Sequence, residues 1–380
     1  MGRRLTLVVP SLALGGAERV VARMANHWAA RGDTVTVITL SAAETDTYPL
    51  DPGVTRIALD LMRVSSGPAQ ALFNNLTRIG KLGDAIRRTQ PDTVITFTDR
   101  MNMTTLLACR SLAADIDIVI CERIDPSEQA AFGGLGWTWS RLRPWVYSWA
   151  RALVVQTQAV RRQMEPVMRG RPIYVIPNAV DAPSEDRPAH EPRRSTDGPL
   201  QLAAMGRLAY QKGFDLLIEA FARAAECQPN WSLAILGEGP ERRRLEEQIH
   251  TRGLEGCICL CGWVSDPTSV LRNCDAFVLS SRFEGFPNAL LEAMALGLPA
   301  IAADCPSGPA EIIRHEVDGL LVAARDVPAL SAAIRRLLSD DKLRGRLGAE
   351  AAHVVDRFSS ELYFARWDTV LRKEPPASVG

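Results

Sequence analysis

Lysine is almost missing from this chain, with four lysines among 380 residues against 40 arginines. Neither sign of charge is in excess. The 44 basic side chains match 44 acidic ones, which removes the electrostatic footprint of a dedicated nucleic-acid binder. No apolar run approaches the roughly 18 residues that a membrane-crossing helix needs. Eight cysteines in so long a chain do not make a disulfide scaffold. Three of them, Cys257, Cys259 and Cys261, alternate along one face of an expected strand, and no histidine is interleaved with them. They read as reduced core residues, not metal ligands, and no metal site is expected. Arg3 and Arg4 ahead of the apolar run 5–14 imitate a signal peptide, but Pro10 interrupts the run and Gly15-Gly16 leads straight into a helical pattern. A strand is expected there, in a globular protein of the cytoplasm.

The length favours two domains of roughly 100–200 residues each. Short runs rich in Val and Ile recur at 5–9, 34–40, 54–59, 92–97, 117–121, 152–156 and 173–176, most of them separated by amphipathic patterns. Parallel strands cannot be joined by tight hairpins, so this alternation predicts a doubly wound domain. The stretch 181–199 is crowded with Pro and charge and reads as a linker. Strands are expected again at 200–205, 232–236, 257–260, 276–280, 299–303 and 319–322, and three consecutive helices at 327–338, 341–355 and 359–372. The fold class is α/β, with two doubly wound, Rossmann-like domains facing a central cleft. Their bounds are set at 1–180, with the terminal helix 357–380 crossing back, and at 198–356. Parallel sheets bind ligands at the carboxyl ends of their strands, so the site is expected between the domains.

Three stretches carry chemistry. In SSRFEGFPNALLEAMA, from Ser280, a strand leads through Gly285 to Pro287, which suits the first position of a helix, where free backbone amides receive an anion. Glu284 precedes that helix and Glu292 lies within it, the latter able to grip sugar hydroxyls. In GRLAYQKGFD, Gly206 and Arg207 close a strand, and Lys212 and Gly213 open the next helix, an arrangement suited to clamping a diphosphate. In SLALGGAERV, Gly15 and Gly16 permit close backbone approach to a ligand, although the full dinucleotide fingerprint is lacking.

Together the three stretches resemble the family-four glycosyltransferases of the GT-B fold. The features that carry the resemblance are Gly15-Gly16 with Glu18, Arg207 and Lys212, and the two glutamates separated by seven residues, Glu284 and Glu292. The run CPSGPAEII, with DGLLV after it, is similar to members that build surface polysaccharides and lipid-linked oligosaccharides. The resemblance implies retaining transfer of a hexose or N-acetylhexosamine from a UDP-sugar, with no metal or other cofactor, to a glycan or polyprenyl-linked glycan acceptor. It implies that Arg207 and Lys212 neutralise the diphosphate, that Glu284 contacts the donor sugar, and that Glu292 takes the ribose hydroxyls. Gly206, Gly285, Phe286 and Asn288 would line the nucleotide. Many relatives place a histidine after the strand corresponding to 117–121, whereas this chain has Glu122 and Arg123. Either Arg123 replaces the histidine, or Asp99 contacts the acceptor, or Glu122 and Arg123 merely pair with each other. A nucleotide-sugar 2-epimerase and a non-catalytic nucleotide-sugar-binding partner are the alternative functions.

Residues 1–175 carry 21 basic and 15 acidic side chains, against 23 and 29 in the remainder. In that basic half Trp137, Trp139, Trp145 and Trp149 stand beside Arg141, Arg143 and Arg151, and a helix near 71–88 adds Arg78, Lys81, Arg87 and Arg88. Tryptophan with arginine favours membrane interfaces, so a peripheral contact with the inner face of the cell membrane is expected through the first domain.

Overall fold

The computed structural model describes residues 2–13, 15–62, 66–110, 116–123, 136–183, 199–225 and 230–376, with backbone alone at 68 and 136–140. Contacts divide the chain into two units, residues 1–176 with 366–380, and residues 177–365. The division falls inside the helix Ser360–Leu371.

The first unit is a seven-stranded parallel sheet in the order β3-β2-β1-β4-β5-β6-β7. Its strands are β1 (Arg4–Val9), β2 (Thr34–Thr39), β3 (Val54–Ala58), β4 (Thr93–Phe97), β5 (Asp117–Cys121), β6 (Ala152–Val155) and β7 (Ile173–Val175). β4 is buried at every residue and β1 at all but Arg4, as a sheet covered on both faces requires. One face packs Leu82, Ile86, Leu106, Val146 and Met164 from the helices Pro68–Thr89, Asp99–Arg110, Gly136–Tyr147 and Gln158–Met168. Elsewhere in the unit, Trp28 of the helix Gly16–Ala30 meets Trp367 edge to face at 5.8 Å, and Asp368 takes ion pairs from Arg3 and Arg31. The apolar run 5–9 is thus a buried inner strand.

The second unit is a six-stranded parallel sheet in the order β10-β9-β8-β11-β12-β13. It comprises β8 (Leu200–Met205), β9 (Trp231–Leu236), β10 (Ile258–Gly262), β11 (Ala276–Leu279), β12 (Ala300–Asp304) and β13 (Leu320–Ala323). Asp326 and Asp340 cap the helices Val327–Ser339 and Asp341–Ala352 by accepting from the amides of Ala329 and Leu343. Most of the linker expected at 181–199 lies outside the described residues.

All thirteen expected strands are present within two residues of their expected ends. The cysteine reading is corrected, since Cys259 and Cys261 are exposed and Cys257 is half-buried. β10 is an edge strand, and the face carrying these thiols faces solvent. In each sheet the strand order reverses once, between β1 and β4 and between β8 and β11, and such switch points open crevices at the carboxyl ends.

Candidate active site

In the second unit the β8 and β11 loops meet at the switch point. After β8 the chain passes Gly206 and Arg207 into a tight turn, Tyr210–Lys212, and the next helix, Phe214–Ala225, starts two residues beyond Lys212. Lys212 therefore ends a turn and does not open a helix as the sequence suggested. Gly213 between them has φ +62°, and a Cβ there would fall 2.2 Å from the Ser280 carbonyl oxygen, so only glycine lets the loops touch.

Across that contact Lys212 Nζ donates to Glu284 Oε1 at 2.6 Å, with the two side chains 18% and 7% exposed. Ser281 Oγ donates to the same oxygen at 2.6 Å, and Ser280 Oγ donates to the Lys212 carbonyl at 2.9 Å. Arg282 forms a two-pronged pair with Asp215 at 2.7 and 2.8 Å and donates to the Tyr210 carbonyl, with its guanidinium 4.1 Å from the Tyr210 ring centre. Fork-to-carboxylate pairing fixes orientation as well as distance, so the two loops form one rigid floor.

A third loop braces this floor. Ser307 Oγ donates to the Glu284 carbonyl at 2.6 Å, and Gly308, at φ +99°, packs so closely on Gly285 and Pro287 that a Cβ would lie 2.9 Å from the Gly285 carbonyl oxygen and 2.8 Å from Pro287 Cδ. The helix Asn288–Ala295 follows, with Pro287 one residue before it and Glu292 half-buried within it. Asn178 Nδ2 donates to the Phe286 carbonyl and, at 2.6 Å, to Asn288 Oδ1. Arg207, on the loop after β8, is exposed. Gly206, Arg207, Lys212, Glu284, Gly285, Phe286, Asn288 and Glu292 thus all lie on the β8 and β11 loops and the helix after them. Arg282, Asp215 and Ser281 carry no mark in the sequence although they stand inside the two stretches that begin at Gly206 and Ser280. Ser307 stands inside CPSGPAEII, and only Asn178 has no signal.

The first unit gathers its polar groups at its own switch point. Gly15 and Gly16 follow β1, and a Cβ on Gly15 would fall 2.1 Å from Glu18 Oε2. Burial pushes the Glu18 carboxyl up, opposed by its own backbone hydrogen bond, the Arg123 charge and a hydrogen bond from Ser11. Arg123 thus acts on Glu18, while Glu122 turns inward.

After β4, Thr98 adopts φ +76°, a left-handed conformation that costs a β-branched residue about 1–2 kcal/mol and turns the chain into the helix beginning at Asp99. Arg143 pairs with Asp99 Oδ2 at 3.0 Å. Tyr147 Oη bonds Glu122 Oε1 and lies 3.2 Å from Asp99 Oδ1. Asn102 Nδ2 donates to the Cys121 carbonyl at 3.0 Å and to Tyr147 Oη at 3.3 Å. Glu122 is 2% exposed, and its Oε2, like Asn102 Oδ1, is buried without a hydrogen-bond partner among the described residues. Burial, reinforced by the Asp99 charge, pushes the Glu122 carboxyl up to about 7 against the pull of Arg143, Tyr147 and Asn102. Burial likewise pushes the Tyr147 phenol up.

These contacts turn part of the stretch 136–151 inward, although Arg141 stays exposed. Arg143 points to Asp99, Tyr147 is buried, and Trp149 packs partly into the core under Arg110. Trp145 is exposed, and the side chains of Trp137 and Trp139 lie outside the described residues.

Two units of parallel sheet, each with its polar groups at a switch point, have the architecture of the GT-B fold. Residues 14–183 match the family described as Glycosyltransferase Family 4, and residues 186–354 match Glycosyl transferases group 1; the chain belongs to these glycosyltransferases. An exopolysaccharide phosphotransferase of Streptomyces coelicolor is 30% identical over 93% of this chain, which spans only 39% of that relative. The amylovoran biosynthesis glycosyltransferase AmsD of Erwinia amylovora is 25% identical over 94% of this chain and 96% of its own. Among solved structures, the lipopolysaccharide outer core galactosyltransferase WaaB superposes with a TM-score of 0.75 at 19% identity, covering 97% of this chain and 99% of WaaB. A sucrose-phosphate synthase from Thermosynechococcus elongatus reaches 0.82 at 19% identity, covering 98% and 99%. At these identities the structures show the shared fold.

Proposed function

We propose that the protein transfers a hexose or N-acetylhexosamine from a UDP-sugar to a lipid-linked glycan, with retention of configuration and no metal ion. The observation that carries this reading is the second unit's floor, where Lys212 is locked to Glu284 four residues before the helix Asn288–Ala295 and Arg207 is exposed on the same β8 loop. Negative charge develops on the departing diphosphate. Arg207 and Lys212 stabilise it electrostatically, the part a divalent cation plays elsewhere. Glu284 meets the donor sugar and Glu292 the ribose. Relatives named for amylovoran and lipopolysaccharide core biosynthesis support a surface-glycan acceptor.

The test incubates the protein with a panel of UDP-sugars, with and without octyl glycosides as acceptors, and follows UDP release and product stereochemistry. Release that depends on acceptor, retains configuration and survives chelator is expected. Interconversion of the sugar without acceptor would make the protein an epimerase, and binding without turnover a passive partner.

The lipid-linked acceptor draws support from the helix Pro68–Thr89 as well. Leu72, Phe73 and Leu76 stand 60–69% exposed near its start, Met62 is 59% exposed just before it, and Lys81 is exposed further along. Apolar anchors backed by basic residues fit an anionic leaflet. Among the described residues no helix is long and apolar enough to cross a membrane. Vesicle flotation is expected to rise with anionic lipid, fall only partly in high salt, and collapse when Leu72, Phe73 and Leu76 are replaced by Ser. Wild-type protein that stays in solution with anionic vesicles at low salt overturns the membrane reading.

A further inference from the structure

The polar cluster under Asp99 poses a problem of proton counting. Tyr147 has one hydroxyl proton and two carboxylate neighbours, Glu122 Oε1 and Asp99 Oδ1. Its oxygen already receives the Asn102 amide. If both carboxyls were ionised, one buried oxygen would face the phenol oxygen with no proton between them, a repulsion that an interior of low polarity does not screen. A second proton is required, and one of the two acids must hold it. Asp99 has the Arg143 guanidinium 3.0 Å from its Oδ2, a cation that balances negative charge on that side of the phenol. Glu122 is the other acid, fully buried, and among the described residues it has no cation at salt-bridge distance.

The direction of each bond is then fixed. A protonated Glu122 donates to Tyr147 Oη, Tyr147 donates to Asp99 Oδ1, and Arg143 donates to Asp99 Oδ2. Asp99, at the first residue of its helix and at the carboxyl end of β4, keeps 19% of its side chain exposed. It is where this chain of bonds reaches solvent.

We propose that Glu122 is a positioning residue, a neutral carboxylic acid that acts through Tyr147 to hold Asp99 and Arg143 as the polar seat for the acceptor's hydroxyl groups. The proposal rests on the transferase reading for what binds there, but not for where the proton is. Among the described residues, the charged or titratable groups that bear on Glu122 are Asp99 from the helix Asp99–Arg110 and Arg143 and Tyr147 from the helix Gly136–Tyr147, while Glu122 and Arg123 both bear on the neighbouring Cys121. Arg123 bears on Glu18 as well. Ionising Glu122 puts two negative charges on one phenol and loosens Asp99.

Two measurements on the full chain test this. Infrared spectroscopy of protein carrying 13C-labelled glutamate should show a protonated carboxyl band at about pH 6 that disappears in Glu122→Gln and titrates away in the wild type near pH 7. Absence of that band at pH 6 overturns the proposal whatever the protein transfers. The second measurement is the acceptor KM with octyl glycosides. Glu122→Ala and Tyr147→Phe should each raise it about tenfold with the donor KM unmoved. Glu122→Gln, whose amide still donates to Tyr147, should recover most of that loss and abolish the wild type's rise in KM above pH 7. Equal damage from Ala and Gln, or an unchanged pH profile in Glu122→Gln, overturns the positioning role. If no octyl glycoside is a substrate, the transferase reading is what has failed. The same comparison, read as calorimetric binding of octyl glycosides, still decides the seat, and no binding by the wild type counts against it.

Discussion

In the second unit the charged groups at the switch point come from two loops each contiguous in sequence, around 206–215 and 280–292. In the first unit the polar groups come from Glu18, Asp99, Asn102, Glu122, Arg143 and Tyr147, spread over four elements or their flanks. The two sheets have the same strand logic, and the difference lies in the segments that leave the carboxyl ends of the strands. The diphosphate proposed for the second unit would present a fixed, dense charge, which short basic loops braced by backbone contacts suffice to meet. The first unit's cluster instead orients neutral and charged groups through intermediaries, which requires side chains from separate helices. One site is a local motif and the other exists only once the chain has folded.

The largest expected effect strikes the second unit's central pair. Glu284→Ala leaves the Lys212 ammonium without its partner at a site where the two side chains are 18% and 7% exposed, and breaking such a pair costs about 3 kcal/mol. Transfer should fall by roughly 10²–10³-fold while UDP affinity is largely kept, since this acid is proposed to serve the sugar. Lys212→Ala should lower stability in the same way, whereas exposed Arg207→Ala should lower turnover alone. Urea unfolding beside a turnover assay separates the three. Equal stability losses for Arg207 and Lys212 would remove the distinction between clamp and floor.

Next comes the first unit's buried acid. Glu122 is raised from 4.5 to about 7 on folding. Between those values the folded chain binds a proton that the unfolded chain has released, so stability falls as pH rises. The contribution is fully present below about pH 4.5 and lost through pH 7, amounting to about 3 kcal/mol at about 1.4 kcal/mol per pH unit. Glu122→Gln should flatten that part of the profile in thermal unfolding. No such slope in the wild type would mean that the first unit lacks a raised acid.

The contrast between the units explains what is legible before folding. Parallel strands follow from Val and Ile runs because both faces are buried, and the second site follows from GRLAYQKGFD and SSRFEGFPN because its contacts link two short loops. Even Arg282 and Asp215 lie inside those stretches, unmarked only because their partnership spans 67 residues. In the sequence Glu122 reads only as a partner for Arg123. Nothing in ICER or RPWVYSW says that Tyr147 reaches back across 25 residues to it. The Trp and Arg content of that second stretch resembles a membrane face, while burial sends Arg143 and Tyr147 the other way.

Glu292→Ala is expected to weaken UDP binding by about 1.5–3 kcal/mol, the usual loss for a hydrogen bond to a charged group, or one to two orders of magnitude in Kd by calorimetry. The same substitution should leave the octyl glycoside KM alone, so a change on the acceptor side would blur the division of labour between the units.

The smallest effect tests the place where the second unit departs from its sequence pattern. Cys259 and Cys261 share the exposed face of edge strand β10, whereas Cys274 is fully buried next to the start of β11 and donates to the Val270 carbonyl. Burial also pushes its thiol up to about 12, as an inert core sulfur requires. A serine hydroxyl is shorter and more strongly hydrated than a thiol, so its cost depends on whether water can reach it. Cys259→Ser and Cys261→Ser should each shift stability by less than about 0.5 kcal/mol, and Cys274→Ser by about 1–3 kcal/mol. Thermal unfolding under reducing conditions reads all three. A large loss at Cys259 or Cys261 would mean that something covers the β10 edge in solution, and the alternating cysteines would then be interior after all.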